Sequence, residues 1–330
     1  MMRSRPLLLL LSVCLATNGC SSTLATPKDT YTFAHGCTSS QTPFKNTPVS
    51  DVETAPALRD TIRNGEAAKV YSAVAIDIAD VTNVLPLLNH LATLEHMQHD
   101  AAETDRVRRK LINRVQLATL EVSSLVAELE CEVHRTDEVE DRIRHAQYTR
   151  SMSQTILSLL IGGLVNVATG GLGMATRGGD TASIINIAGG TAEILFGTSA
   201  NFTKVRQEFK HPHNHLARLW AGEGFKDYYS PAIWHFLTRP NSRDHEGRSL
   251  RNVLIEAWQE QSRLGKPGSR EARKHEELLF GAGGQYDAED LHIREAMLQQ
   301  LESIIQLMHQ DLETLLREVL IHQAMEEEPN

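Results

Sequence analysis

Apolar residues recur at helical spacing through two long stretches of the chain. From Glu103 to Arg150, Leu111, Val115, Ala118, Val122, Leu125 and Leu129 step by four and three residues, a heptad seam that predicts one long helix. Val139, Ile143 and Ala146 resume the seam after a polar break at His134 to Asp137. No Pro or Gly interrupts residues 101 to 161. A continuous helix of about 60 residues would run on the order of 90 Å and would need partner helices along its length. Met297, Leu301, Ile304, Met308, Leu312, Leu315 and Val319 trace a second seam between Ala288 and Gln323, with Asp287 as a cap and Glu289 and Asp290 in the first turn. Upstream, Asp51 to Arg63 predicts a short helix. Glu66 to His99 predicts a longer one, with Val70, Val74, Ile78, Val81 and Leu85 on one face and a kink at Pro86. Helices over 66–99, 103–150 and 288–323 are thus expected to wall an elongated antiparallel bundle. No strand-length alternation stands out, so the fold class is all-α.

Two segments depart from this pattern. Ser151 to Thr176 carries no charge, and ten of the 21 glycines fall between Gly162 and Gly197. Apolar arms at Ile156 to Ala168 and Ile184 to Phe196 flank the glycine-rich TGGLGMATRGGDT, which implies a helical hairpin with a flexible tip. Its small faces suit close helix packing in the bundle core; in a bilayer the same faces would drive helix association. Each strongly apolar arm falls short of the 17 to 25 or so residues that span a membrane, and Glu193 in the second arm would oppose insertion. Long coiled helices plus an apolar hairpin are similar in plan, and in plan only, to α-helical pore-forming toxins. The second segment, Phe202 to Trp258, concentrates the aromatics, among them Trp220, Phe225, Tyr228, Tyr229, Trp234, Phe236 and Trp258, between Gly and Pro breaks. It predicts a small aromatic-rich head of short helices. Most of its rings should be core, and Tyr228, Tyr229 and Trp234 are the candidates for a binding surface.

Composition narrows the class. The net charge of −9 over 330 residues argues against a nucleic-acid binder, whose footprint is basic. A mean hydropathy of −0.29 leaves too little apolar sequence for several membrane spans. Only four cysteines exclude a disulfide-dense mini-scaffold, and 41% hydrophobic residues exclude a disordered chain.

The N-terminus adds an address. Arg3 and Arg5 precede an apolar run from Leu7 to Leu15, the form of an export signal over residues 1–19. Gly19-Cys20-Ser21-Ser22 follows, and here the chain resembles bacterial lipoproteins, in which a small residue precedes a cysteine that is lipidated and becomes the mature N-terminus. The resemblance implies a covalent lipid on Cys20. Ser21, where an Asp tends to retain such proteins in the inner membrane, implies the outer membrane of a Gram-negative cell, with the protein facing the periplasm. Thr17 stands where the family carries an aliphatic residue, and ordinary cleavage after Ala16 or Gly19 is the alternative. Without its leader the chain has 31 basic residues against 42 acidic ones, a balance of −11.

The resulting plan has a signal at 1–19, a lipidated N-terminus and Ser/Thr/Pro-rich tether at 20–50, and long helices at 51–150. A Gly-rich hairpin at 151–200, an aromatic-rich subdomain at 201–286 and a C-terminal helix with an acidic tail at 287–330 complete it.

Candidate chemistry is sparse. Cys37 and Cys131 remain after export and lipidation, and they form a disulfide in an oxidising compartment or else stay free, one in a loop and one on a helix. His211-Pro212-His213-Asn214-His215 puts three imidazoles on one side of an extended segment, a set for a divalent transition metal, with a solvated loop as the competing reading. GGLGMATRGG lacks the GK[ST] ending of a phosphate loop and follows no strand, so no nucleotide is expected. There is no G-x-S-x-G, no HExxH and no Cys–His arrangement, and no catalytic residue is assigned. The expected function is therefore a lipid-anchored, periplasm-facing helical envelope protein that acts as a structural or protein-interaction module. It would hold the membrane through its lipid and an envelope protein through its fold, with no cofactor beyond the lipid. The alternatives are a membrane-active protein that inserts the 151–200 hairpin and, more distantly, a metal-dependent enzyme using His211, His213 and His215.

Overall fold

The computed structural model describes Cys37 and residues 63–97, 101–175, 204–223, 228–241, 246–260, 264–266 and 268–327; in the long helix, side chains are described to Ser153 and at Ile156. Export signal, lipidation site, tether, the expected helix at 51–63 up to Arg63, and the second hairpin arm lie outside these residues. Nine helices and two short strands are present among them, an all-α helical bundle.

The stretch from 66 to 99 is three helices: α1 (Ala67–Val70), α2 (Ala73–Val81) and α3 (Leu85–His96). Local chemistry sets the breaks. Ser72 caps α2 by accepting the Ala75 N–H at 3.2 Å. Asn83 takes a left-handed conformation, and Pro86 then opens α3 in its first turn. The expected kink at Pro86 is thus a helix start, where a missing N–H and a preset φ cost nothing.

α4 runs from Ala101 to Ala175 without interruption, so the first apolar arm continues the long helix. The strands β1 (Gln207–Lys210) and β2 (Gly283–Tyr286) pair. Four residues each are too few for an alternation to register in the sequence. Between them come α5 (His215–Ala221), α6 (Pro231–Thr238), α7 (Leu250–Glu260) and α8 (Arg270–Phe280); α9 (Ala288–Glu327) closes the chain.

The described residues fall into two compact units. One comprises Thr136–Lys210 and Gly284–His292. There Phe209 meets Tyr286 edge to face at 5.6 Å. Asp287 caps α9, accepting the Glu289 and Asp290 N–H groups at 3.1 Å, while Asp290 accepts the Asp287 N–H in return.

The other unit holds Tyr31–Arg135, His211–Gly283 and Ile293–Asn330. In it α1, α2 and α3 pack on one another, α2 on α6, α6 on α7, and α5 on α8. Arg108 of α4 reaches Glu95 of α3 at 3.0 Å, and Glu318 of α9 accepts the Ser72 N–H at 2.9 Å. Cys37 is bonded to Cys131 on α4, 94 residues away, with the Cα atoms 5.5 Å apart.

Apart from Ala146, which is only half-buried, the seams differ from the sequence pattern in one respect each. On α4 the burial of Leu111 to Leu129 continues in register through Glu132 and Thr136 to Val139 and Ile143. Within the polar break Thr136 alone is buried and keeps the seam in register, with the buried Glu132 one turn before it. On α9 the buried set is Met297, Leu298, Leu301, Ile305, Met308, Leu312, Leu315 and Val319, so Ile305 takes the position predicted for Ile304, which is only half-buried. Ile304 and Ile305 both stand three or four residues from Leu301 and Met308, so the period allows either, and the fold buries Ile305.

Candidate functional site: a buried polar layer beside a histidine pair

The heptad period that buries Leu125 and Leu129 also turns Glu132 inward, and Arg294 occupies the equivalent seam position one turn before Leu298. Both are sealed from solvent, and Arg294 Nη2 lies 3.5 Å from Glu132 Oε2. Arg135 holds the other carboxylate oxygen at 3.0 Å. Arg294 Nη1 donates to Asn214 Oδ1 and to the Leu279 carbonyl, each at 3.4 Å. Asn214 is the N-cap of α5, accepting the Ala217 N–H, and its amide donates to the carbonyls of Leu279 and Gly281. One side chain thus ties α5, α8 and α9 together.

His211, buried, bonds through Nε2 to the Leu278 carbonyl at 3.2 Å. Burial, aided by the Arg294 guanidinium, pushes its pKa down to about 3, so the imidazole is neutral at physiological pH. The three histidines therefore do not act together: His211 belongs to the packing of α8, while His213 and His215 point elsewhere.

Those two meet Glu128 of α4. One donor atom from each of Glu128, His213 and His215 lies within 4.8 Å of the others, and His215 Nε2 is 3.3 Å from Glu128 Oε2. His215 is buried; His213 and Glu128 are half-buried. The His213 ring stacks on Tyr228 at 4.0 Å, and the Arg218 guanidinium covers the Tyr228 ring at 4.8 Å. Glu128 lies one residue before a seam leucine, too far along the chain for its spacing to point to His213.

The aromatic segment divides by burial. Tyr228 and Trp234 are half-buried. Tyr229 is wholly buried and donates its hydroxyl to the His215 carbonyl at 2.8 Å, and burial holds its phenol far above the usual range. Tyr229 is thus a core residue that supports His215, a correction to its expected place on a binding surface, because a phenol with its one polar atom satisfied internally packs best inside. Trp258 is buried likewise, its indole donating to Gln300 at 2.8 Å.

Among the described residues no helix is long and apolar enough to cross a membrane. The chain matches no protein-family model, no curated protein and no solved structure.

Proposed function

We propose that this protein is a lipid-anchored, periplasm-facing module of the cell envelope that holds a protein partner on its helical bundle. The observation that carries the reading is an uncovered apolar ridge near the end of α9. Leu320, Ile321 and Met325 are exposed on it, beside Leu316 and Ala324, with the charged Glu313 and Arg317 toward its N-terminal end. Contiguous apolar surface rimmed by charge is the composition of a protein contact. The Cys37–Cys131 disulfide supports an oxidising compartment, and Gly19-Cys20 supports the anchor. With an acidic balance, lipid rather than surface charge would keep the protein at a membrane.

The test is fractionation combined with site-specific photocrosslinking. Wild type should pellet with membranes, and Cys20→Ala should release it. A crosslinker at Leu320 should capture one envelope protein, and a crosslinker at exposed Leu120 on α4 should not. Equal capture from both positions, or membrane retention of Cys20→Ala, refutes the reading.

A second reading, insertion of the glycine-rich segment into a bilayer, gains from one observation. The uncharged run from Ser151 is helical without a break to Ala175. Dye release from liposomes that is lost on Leu160→Lys or Ile185→Lys supports it. No release at any pH sinks it.

A further inference from the structure

We propose that Glu128, His213 and His215 form a binding site for a single divalent transition-metal ion, with zinc as the best fit. It goes beyond the interaction module and does not depend on it. Three elements of chemistry converge. First, the donor set is two imidazoles and one carboxylate, the mixed nitrogen and oxygen ligands that zinc accepts, and three protein donors leave a fourth position for water.

Second, the spacing suits one ion. Bonds of about 2 Å place neighbouring donors of a tetrahedron about 3.3 Å apart. The His215 Nε2 to Glu128 Oε2 separation is 3.3 Å, and the group as a whole closes within 4.8 Å. Glu128 and His213 are half-buried, and theirs are the side chains that would turn to complete the set.

Third, the ligands stand on a supported frame. Asn214 caps α5 and is held by Leu279, Gly281 and Arg294, which fixes the backbone between the two histidines. Tyr229 holds the His215 carbonyl, and its ring lies 5.6 Å from the His215 ring. Tyr228 holds the His213 ring by stacking. Supports of this kind orient metal ligands before the ion arrives. The alternating His213-x-His215 places both rings on one side because the segment enters α5 from an extended Asn214. His211 is excluded, since its Nε2 is spent on the Leu278 carbonyl.

The competing account of the same contact is an ion pair between a protonated His215 and Glu128. The experiment uses the full mature chain without an affinity tag, disulfide intact, stripped with chelator and titrated with Zn²⁺ by calorimetry, with bound metal counted by elemental analysis. One zinc per chain is expected. Glu128→Gln and His213→Asn should each weaken binding by about 100-fold, and His309→Asn, on an exposed histidine of α9 outside the site, should leave it unchanged. Absence of stoichiometric zinc, or equal affinity in Glu128→Gln, overturns the site in favour of the ion pair. Near-UV circular dichroism verifies the fold of each variant. Should either unfold, Co²⁺ added to the wild type decides: the visible bands of a tetrahedral nitrogen–oxygen site support the proposal, and their absence overturns it.

Discussion

Glu132 and Arg294 face each other inside the bundle at 3.5 Å, each at a position where its helix would otherwise bury an aliphatic side chain. A polar layer of this sort specifies which turns of two helices lie side by side, since any shift in register strands a buried charge. Arg294→Met removes the guanidinium that faces Glu132 and is expected to cost about 3 kcal/mol or more in chemical denaturation. Adding Glu132→Leu should recover part of that loss. If the two single losses simply add, the residues are uncoupled.

The disulfide closes a long loop between Cys37 and α4, its ends 94 positions apart in the chain. Replacing both cysteines by Ala should lower stability by about 2 to 4 kcal/mol, through the entropy regained by the unfolded chain. An unchanged denaturation midpoint under oxidising conditions would show that the bond adds nothing.

Glu121 of α4 gives a pH dependence. Its carboxylate is buried and takes a hydrogen bond from Ser230, the cap of α6; burial raises its pKa and Ser230 offsets part of this. The protonated form therefore suits the fold. The stability it contributes is present below the unfolded carboxylate pKa and is lost as pH rises through the folded one. Glu121→Gln keeps an acceptor for Ser230 without the charge. It should stabilise the protein at pH 7.5 and leave it unchanged at pH 4, as read from urea midpoints at the two pH values.

Gly222 ends α5 with φ 77°, and Arg251 of α7 donates to the carbonyls of Leu219 and Trp220 in the same turn. A β-carbon at Gly222 would lie 2.9 Å from the Arg251 guanidinium. Gly222→Ala should thus cost about 1 to 2 kcal/mol from backbone strain alone. A melting temperature equal to wild type would contradict this.

The register of α9 is testable in one pair of variants. Ile305 is fully buried and Ile304 is not. Ile305→Ala should cost about 2 to 5 kcal/mol, and Ile304→Ala clearly less. The reverse order would restore the seam through Ile304.

The heptad steps from Leu111 to Leu129 and from Leu312 to Val319, and the cap at Asp287, depend on residues within a turn or two of each other. The sequence alone therefore determined an all-α chain with two long seamed helices. It could not separate Ile304 from Ile305, because adjacent isoleucines serve a seam equally until a partner surface selects one. The polar break at His134 to Asp137 hides a buried Thr136, and the buried Glu132 just before it is intelligible only beside Arg294, far along the chain. The histidine cluster looked like a set of three, yet the fold gave His211 to a carbonyl of α8 and joined His213 and His215 to Glu128. Tertiary structure alone made these decisions, since desolvation and donor geometry depend on which distant segments share a site, and chain spacing carries no record of that.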